Sequence, residues 1–147
     1  MANLYGVSNP LILPVIVTPG SNVVLTAGTE TTFMSSTSLV AISSGFFYPI
    51  IWLTVSYSFG ASLPTALAFN FKLGAGSDVD TQAVNAAAFV ASTYYQYTCC
   101  LVGVASQVAW QSPGSVINIT GLSTTNLTQS YSAGTRAVIG LFRAPDQ

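Results

Sequence analysis

Apolar and polar residues alternate with a period of two along much of this chain, in stretches rich in β-branched and aromatic residues that are separated by clusters of Gly, Pro, Ser and Asn. The clearest stretch runs from Thr65 to Leu73. Leu67, Phe69, Phe71 and Leu73 fall on one face of a strand, predicted to be the core face, and Ala66, Ala68, Asn70 and Lys72 fall on the other. The end of the long stretch Phe46 to Phe59 alternates in the same way, with Leu53, Val55, Tyr57 and Phe59 set against Thr54, Ser56 and Ser58. The loop from Gly60 to Pro64 between these two segments predicts a hairpin. Further strands are predicted at Leu11 to Val17, Asn22 to Thr26, Thr31 to Met34, Ser38 to Ile42, Tyr94 to Val104, Val116 to Thr120 and Ala137 to Arg143. Tyr94 to Val104 is largely apolar or aromatic on both faces, which predicts cover on both sides. Only Thr81 to Ser92 reads as a helix, capped by Asp80 or Thr81, and the same residues also fit a loop plus a strand.

Short alternating strands with turn signals between them predict an all-β, single-domain antiparallel β-sandwich, jelly-roll-like, with at most one short helix. No repeat, heptad pattern or charged linker divides the chain, so residues 1–147 are expected to form one domain. Residues 1–10 and 144–147 are expected to serve as arms reaching a neighbouring subunit.

Composition changes the picture. Of the 147 residues, 50% are hydrophobic and 5% are charged, none is His, and the formal net charge is −1. A soluble domain ordinarily carries roughly 25% charged residues. The surface must therefore be made of Ser, Thr, Asn and Gln, or be covered by other protein. Without His, Ser/His/Asp and Cys/His catalysis is excluded, and a Ser–Lys pair would need Lys72, which sits mid-strand on the outer face. No enzyme activity is expected. Lys72, Arg136 and Arg143 are the only cations, too few to neutralise a run of phosphates, so no direct nucleic-acid contact is expected. The apolar run Phe46 to Phe59 contains Pro49 and ends in a Thr/Ser alternation, which does not suit a spanning helix, and no membrane contact is expected. No positively charged leader precedes Leu11 to Val17, itself interrupted by Pro14, so no export signal is visible.

Few residues carry distinctive chemistry. Asp78 and Asp80, in Gly74-Ala-Gly-Ser-Asp-Val-Asp80, have the alternate oxygen spacing of a minimal Ca²⁺ site, and equally that of a Gly-rich turn followed by a helix cap. No other cofactor is implied. Cys99 and Cys100 are adjacent and so point to opposite faces of a strand, which leaves them as two thiols or a bridge to another chain. Asn118-Ile-Thr120 and Asn126-Leu-Thr128 match the N-glycosylation pattern. Trp52, Tyr94, Tyr95, Tyr97 and Trp110 suit either a carbohydrate platform or, as is commoner for aromatics, cores and subunit interfaces. Trp52, Trp110, Arg136, Arg143 and Asp146 are the predicted interface residues.

The strand Phe46 to Phe59, the segment Leu63 to Leu73, the loop Gly74 to Asp80 and the closing stretch Gly134 to Asp146 together resemble small single-jelly-roll virion proteins, and more loosely the trimeric tumour-necrosis-factor and complement-C1q jelly rolls. That resemblance covers about two-thirds of the chain. It implies a capsid or capsid-decoration protein in a virion, associating with copies of itself, with a trimer favoured, and with another shell subunit. The absence of a basic arm sets this chain apart from genome-binding capsid proteins. Two other classes fit the residues. One is an extracellular filament or pilus subunit, in which an arm such as residues 1–18 adds a strand to the next subunit. The other is a C1q- or lectin-like binding module carrying Ca²⁺ on Asp78 and Asp80.

Overall fold

Strands with one apolar face bury it when two sheets lie face to face, and the alternating residues do so here. The computed structural model describes residues 15–41, 45–111, 114–129 and 134–145. Within them the strands are β1 (Val15–Val17), β2 (Val23–Leu25), β3 (Thr31–Ser35), β4 (Phe47–Phe59), β5 (Leu67–Leu73), β6 (Asp78–Val84), β7 (Tyr94–Val102), β8 (Ile117–Ser123), β9 (Leu127–Gln129) and β10 (Arg136–Arg143). Two single 3₁₀ turns, Ala86–Ala88 and Val108–Trp110, complete the regular structure.

One sheet is organised around β4. Its 13 residues pair with β10 over Phe47–Thr54 and with β9 over Tyr57–Phe59 along one edge, and with β7 over Ile50–Ser58 along the other. β1 extends this sheet beyond β10, and β2 extends it beyond β9. The second sheet runs β3-β8-β5-β6. Every pairing is antiparallel. With the short β2 and β9 set aside and the remaining strands renumbered one to eight, the sheets read 1-8-3-6 and 2-7-4-5, the interleaving of a jelly roll.

At Ser56, β4 exchanges β10 for β9 as its neighbour, and its main chain there is buried. Thr135 fills the gap. The Ser56 N–H donates to Thr135 Oγ1 at 2.9 Å, and the same hydroxyl donates to the Ser56 carbonyl at 3.4 Å. A side chain thus stands in for one rung of the ladder, as a buried amide requires.

The core is the set the alternation predicts, except that Leu73, at the end of β5, is only partly buried. Leu53, Val55, Tyr57 and Phe59 of β4 meet Leu67, Phe69 and Phe71 of β5, with Ile117, Ile119, Ile139 and Leu141 around them. Phe33 meets Phe69 edge-on at 5.9 Å between ring centres. Burial, with Tyr95 and Tyr97 nearby, pushes the Tyr57 phenol up to about 12.

Several expected elements differ. β4 and β5 do not form a hairpin, because they lie in different sheets and the loop after Gly60 carries the chain across the sandwich. Thr81 to Ser92 is not a helix. Its first part belongs to β6, whose pairing with β5 over Leu67–Lys72 outweighs a weak local helix preference. The rest is a single 3₁₀ turn, with the Ala87 N–H donating to Asn85 Oδ1 at 3.1 Å. Of Ser38 to Ile42, the described residues 38–41 hold one bridge, Leu39 to Ser115, with Leu39 buried in the core, and Ile42 lies outside the described residues. Tyr94 to Val104 ends at Val102: a Cβ at Gly103 would lie 2.5 Å from Pro49, so only glycine lets the chain cross there. Of Leu11 to Val17, the part before Val15 lies outside the described residues, as do residues 1–10 and 146–147.

Candidate interaction surface

The two outer faces of the sandwich differ in chemistry. On the β3-β8-β5-β6 sheet, Glu30 lies at the start of β3 and gathers donors from two other strands. Its carboxylate accepts from Asn70 Nδ2 at 3.1 Å, from Lys72 Nζ at 2.5 Å and from the Thr120 hydroxyl. Burial works against the charge, yet the bonds from Lys72, Thr120 and Asn70 and the Lys72 charge hold the Glu30 carboxyl down at about 2. Lys72 is held above the ordinary lysine value chiefly by its bond to Glu30, and Asp78 lies 3.5 Å from the same ammonium. Asn118 extends the polar face: its Nδ2 donates to the Gly74 carbonyl and its Oδ1 accepts from the Ser35 hydroxyl, both at 2.6 Å.

The outer face of the β4 sheet is apolar over the half that β4 shares with β10, and polar at Thr54, Ser56, Ser58, Gln96 and Thr98 beyond it. Tyr48, Ile50 and Trp52 of β4 lie beside Val138, Gly140 and Phe142 of β10, with Ile16 of β1 beyond and Cys100 and Val102 of β7 on the other flank. Ile16 is 67% exposed, Tyr94 54%, Val102 46% and Trp52 43%. Phe142 meets Trp52 edge-on at 6.0 Å and Tyr48 at 6.1 Å between ring centres. Gly140 makes this arrangement possible, because a Cβ there would come within 2.8 Å of the Phe142 ring, which lies over the bare backbone. A contiguous group of exposed apolar side chains of this kind marks an interaction surface on a protein. Arg136, at the end of β10 opposite Thr54, is the single charge among the described residues on this face.

The structure separates the predicted site residues. Trp52 lies on the apolar face. Trp110 is instead buried in the core of the chain: it is 1% exposed, and its Nε1 donates to the Phe47 carbonyl at 3.0 Å. The five aromatics form no single platform, since Trp52 and Tyr94 face outward while Tyr95 and Tyr97 pack against the core. Arg136 and Arg143 occupy opposite ends of β10, about 23 Å apart along the strand, and an odd spacing puts them on opposite faces. Asp146 lies outside the described residues.

Asp78 and Asp80 are both engaged within the chain. Asp78 sits beside Lys72, and both Asp80 oxygens accept main-chain N–H groups at 2.8 Å, Oδ1 from Thr81 and Oδ2 from Val102. Ca²⁺ takes six to eight oxygen ligands, and among the described residues no group of three or more acidic or Cys side chains comes together. Asn126 is exposed, with Oδ1 accepting from the Ala27 N–H at 2.9 Å. Cys99 and Cys100 are both free and point to opposite faces. Burial, with lesser contributions from Cys100 and Asp80, pushes the Cys99 thiol up to about 11. Sequence reasoning missed Glu30, Asn70, Thr120, Gly140 and Phe142. Of these only Gly140, a glycine inside a strand two residues from an aromatic, carries a local signal.

No protein-family model matches the sequence, and no curated protein matches it. Among solved structures the chain is similar to one described as infectious bursal disease virus, Gt strain, at 8% identity over 91% of this chain, with a TM-score of 0.49. This chain spans 38% of the length of that viral chain. It is also similar to the Eiger TNF of S. frugiperda, at 8% identity over 95% of this chain and 96% of that one, with a TM-score of 0.48. A third similar structure, described as CBM4, is 13% identical over 88% of this chain and 94% of that one, with a TM-score of 0.36.

Proposed function

We propose that this protein is a non-enzymatic structural subunit that works by self-association, and that the outer face of the β4 sheet is the surface it covers. The observation that carries this reading is the division of chemistry between the two faces. Glu30, Lys72 and Asp78 cluster on one sheet, whereas Ile16, Tyr48, Trp52, Phe142 and Val102 line the other. Among the described residues the only charge a second copy meets on the apolar face is Arg136, at the end of β10, and the net charge of −1 opposes association weakly.

Within this class we favour a virion shell or shell-decoration subunit. A block that hides one side and wets the other is what a closed protein layer needs, and the scarcity of cations favours a position away from the genome. The filament reading has weaker support, because Val15–Val17 of the proposed donor arm is already paired with β10 of its own sheet. A sugar platform on Trp52 and Phe142 has the aromatic rings but lacks polar partners, since Trp52 lies between Val138 and Cys100 across the strands.

Sedimentation velocity and electron microscopy over a concentration series test the proposal. The wild type is expected to form discrete oligomers or shells at micromolar concentration, and Trp52→Lys is expected to weaken association at least tenfold with an unchanged circular dichroism spectrum. A wild-type protein that stays monomeric up to high micromolar concentration refutes it.

A further inference from the structure

Sheet edges expose unpaired main-chain groups, and proteins guard them with short strands, bulges, prolines or charges. Most edges of this sandwich carry such a guard. β1 and β2 have three residues each. β3 breaks register between Thr32 and Met34, and β6 both faces a register break at Phe71/Lys72 and carries Asp78 and Asp80. β7 is the exception. It runs for nine residues in unbroken register with β4, contains no charged residue and no proline, and among the described residues pairs with no other strand.

The direction of its amides follows from two bonds. The Gly103 N–H donates inward to the Pro49 carbonyl at 2.9 Å, and the Val102 N–H donates away from β4 to Asp80 Oδ2. Antiparallel alternation then points the N–H and C=O of Tyr94, Gln96, Thr98 and Cys100 to the free edge. On the core side of the same strand, Tyr95, Tyr97 and Cys99 are only half-buried, so covering the edge also completes their burial.

We infer that β7 pairs edge to edge with β7 of a second copy, antiparallel across a two-fold axis, joining two β4 sheets into one continuous sheet. The inference rests on the self-association proposed above and names a contact distinct from the apolar face. The strand is self-complementary: antiparallel pairing centred near Tyr97 or Thr98 sets Tyr, Gln, Thr and Cys against one another and opposes no like charges. A two-fold perpendicular to the sheet also keeps the two Trp52–Phe142 faces on the same side, so the pairing doubles the apolar surface. Asp80 ends the free edge at Val102 and limits the pairing to Tyr94 through Cys100.

Amide hydrogen exchange on the native protein, associated and diluted to the protomer, tests this. The Tyr94, Gln96, Thr98 and Cys100 amides are expected to exchange at least tenfold more slowly in the associated form, while those of Tyr95, Tyr97, Cys99 and Leu101 are protected in both. In Gln96→Pro, which removes an outward N–H and no ladder bond to β4, association is expected to weaken at least tenfold while the melting profile of the diluted protomer is kept. Fast exchange at the four outward amides in the associated protein overturns the inference and leaves self-association standing. Protection that persists at any dilution assigns the edge to the chain's own residues and overturns it as well. A wild type that does not associate removes the reading on which it rests.

Discussion

Glu30 offers a quantitative test of how the polar face is held. Its carboxyl titrates at about 2 in the fold against an ordinary value of 4.5. A difference of that size corresponds to about 3 kcal/mol of stability at neutral pH. A quarter of the side chain remains in water, so screening leaves about 1–2 kcal/mol. Because the folded-state value is the lower one, this contribution is complete above pH 4.5. It declines as pH falls and is gone below about pH 2. Glu30→Gln removes the titration while keeping the shape. Urea unfolding of wild type and variant, followed at a series of pH values from 7 to 2, is expected to give a gap of about 1–2 kcal/mol at pH 7 that closes toward pH 2. The other carboxylates are common to both proteins and cancel in the difference. A gap that stays constant across this range would refute the reasoning, since it would mean that the side chain contributes packing and not charge.

Three further outcomes are expected. Thr135→Val removes the hydroxyl that serves both main-chain groups of Ser56 and should cost about 1–3 kcal/mol by urea unfolding, the penalty for a buried unsatisfied amide. Gly140→Ala displaces the Phe142 ring from its seat beside Trp52 and should weaken association tenfold while lowering protomer stability by about 1 kcal/mol or less, read by sedimentation and melting in parallel. At pH 8 a thiol reagent should modify Cys100 roughly tenfold or more faster than Cys99, whose thiol is half-buried and raised to about 11, as read by mass spectrometry of the labelled peptides.

Which strands exist was legible from local pattern, because Leu67, Phe69 and Phe71 cannot all be buried except on one face of a strand. Which sheet each strand joins was not. β4 and β5 are neighbours in sequence and would pair by default. Only the demand of β4 for β10, β9 and β7 as partners sends β5 to the other sheet, and those partners lie far along the chain. Asp78 to Val84 was obscured by the alanines that follow it, which raise the helix signal without taking part in β6. The Glu30 cluster had no local signal at all, since Asn70 is 40 positions away and Thr120 is 90. Trp52 and Trp110 were indistinguishable by residue type, and only the fold shows that one faces outward and the other closes the core.

The scarcity of charge acquires a location in the fold. Glu30, Lys72 and Asp78 hold the wet face, Asp80 stops the free edge at Val102, and Arg136 and Arg143 mark the ends of β10. Among the described residues the β7 strand carries no charge and the apolar face carries only Arg136 at its rim. One isologous contact alone would end at a dimer, so a layer requires two contacts of different kinds. If β7 joins two copies about an axis perpendicular to the sheet, the doubled face closes about an axis lying within it. Adjacent strands turn relative to one another by about 20–25°, so the two apolar faces of a joined pair are not coplanar. That inclination, and whether the two axes meet, decides between a closed particle and an array that runs on. If both contacts form, the twist of the β4 sheet across its β7 edge is therefore the geometry that decides between shell and fibre.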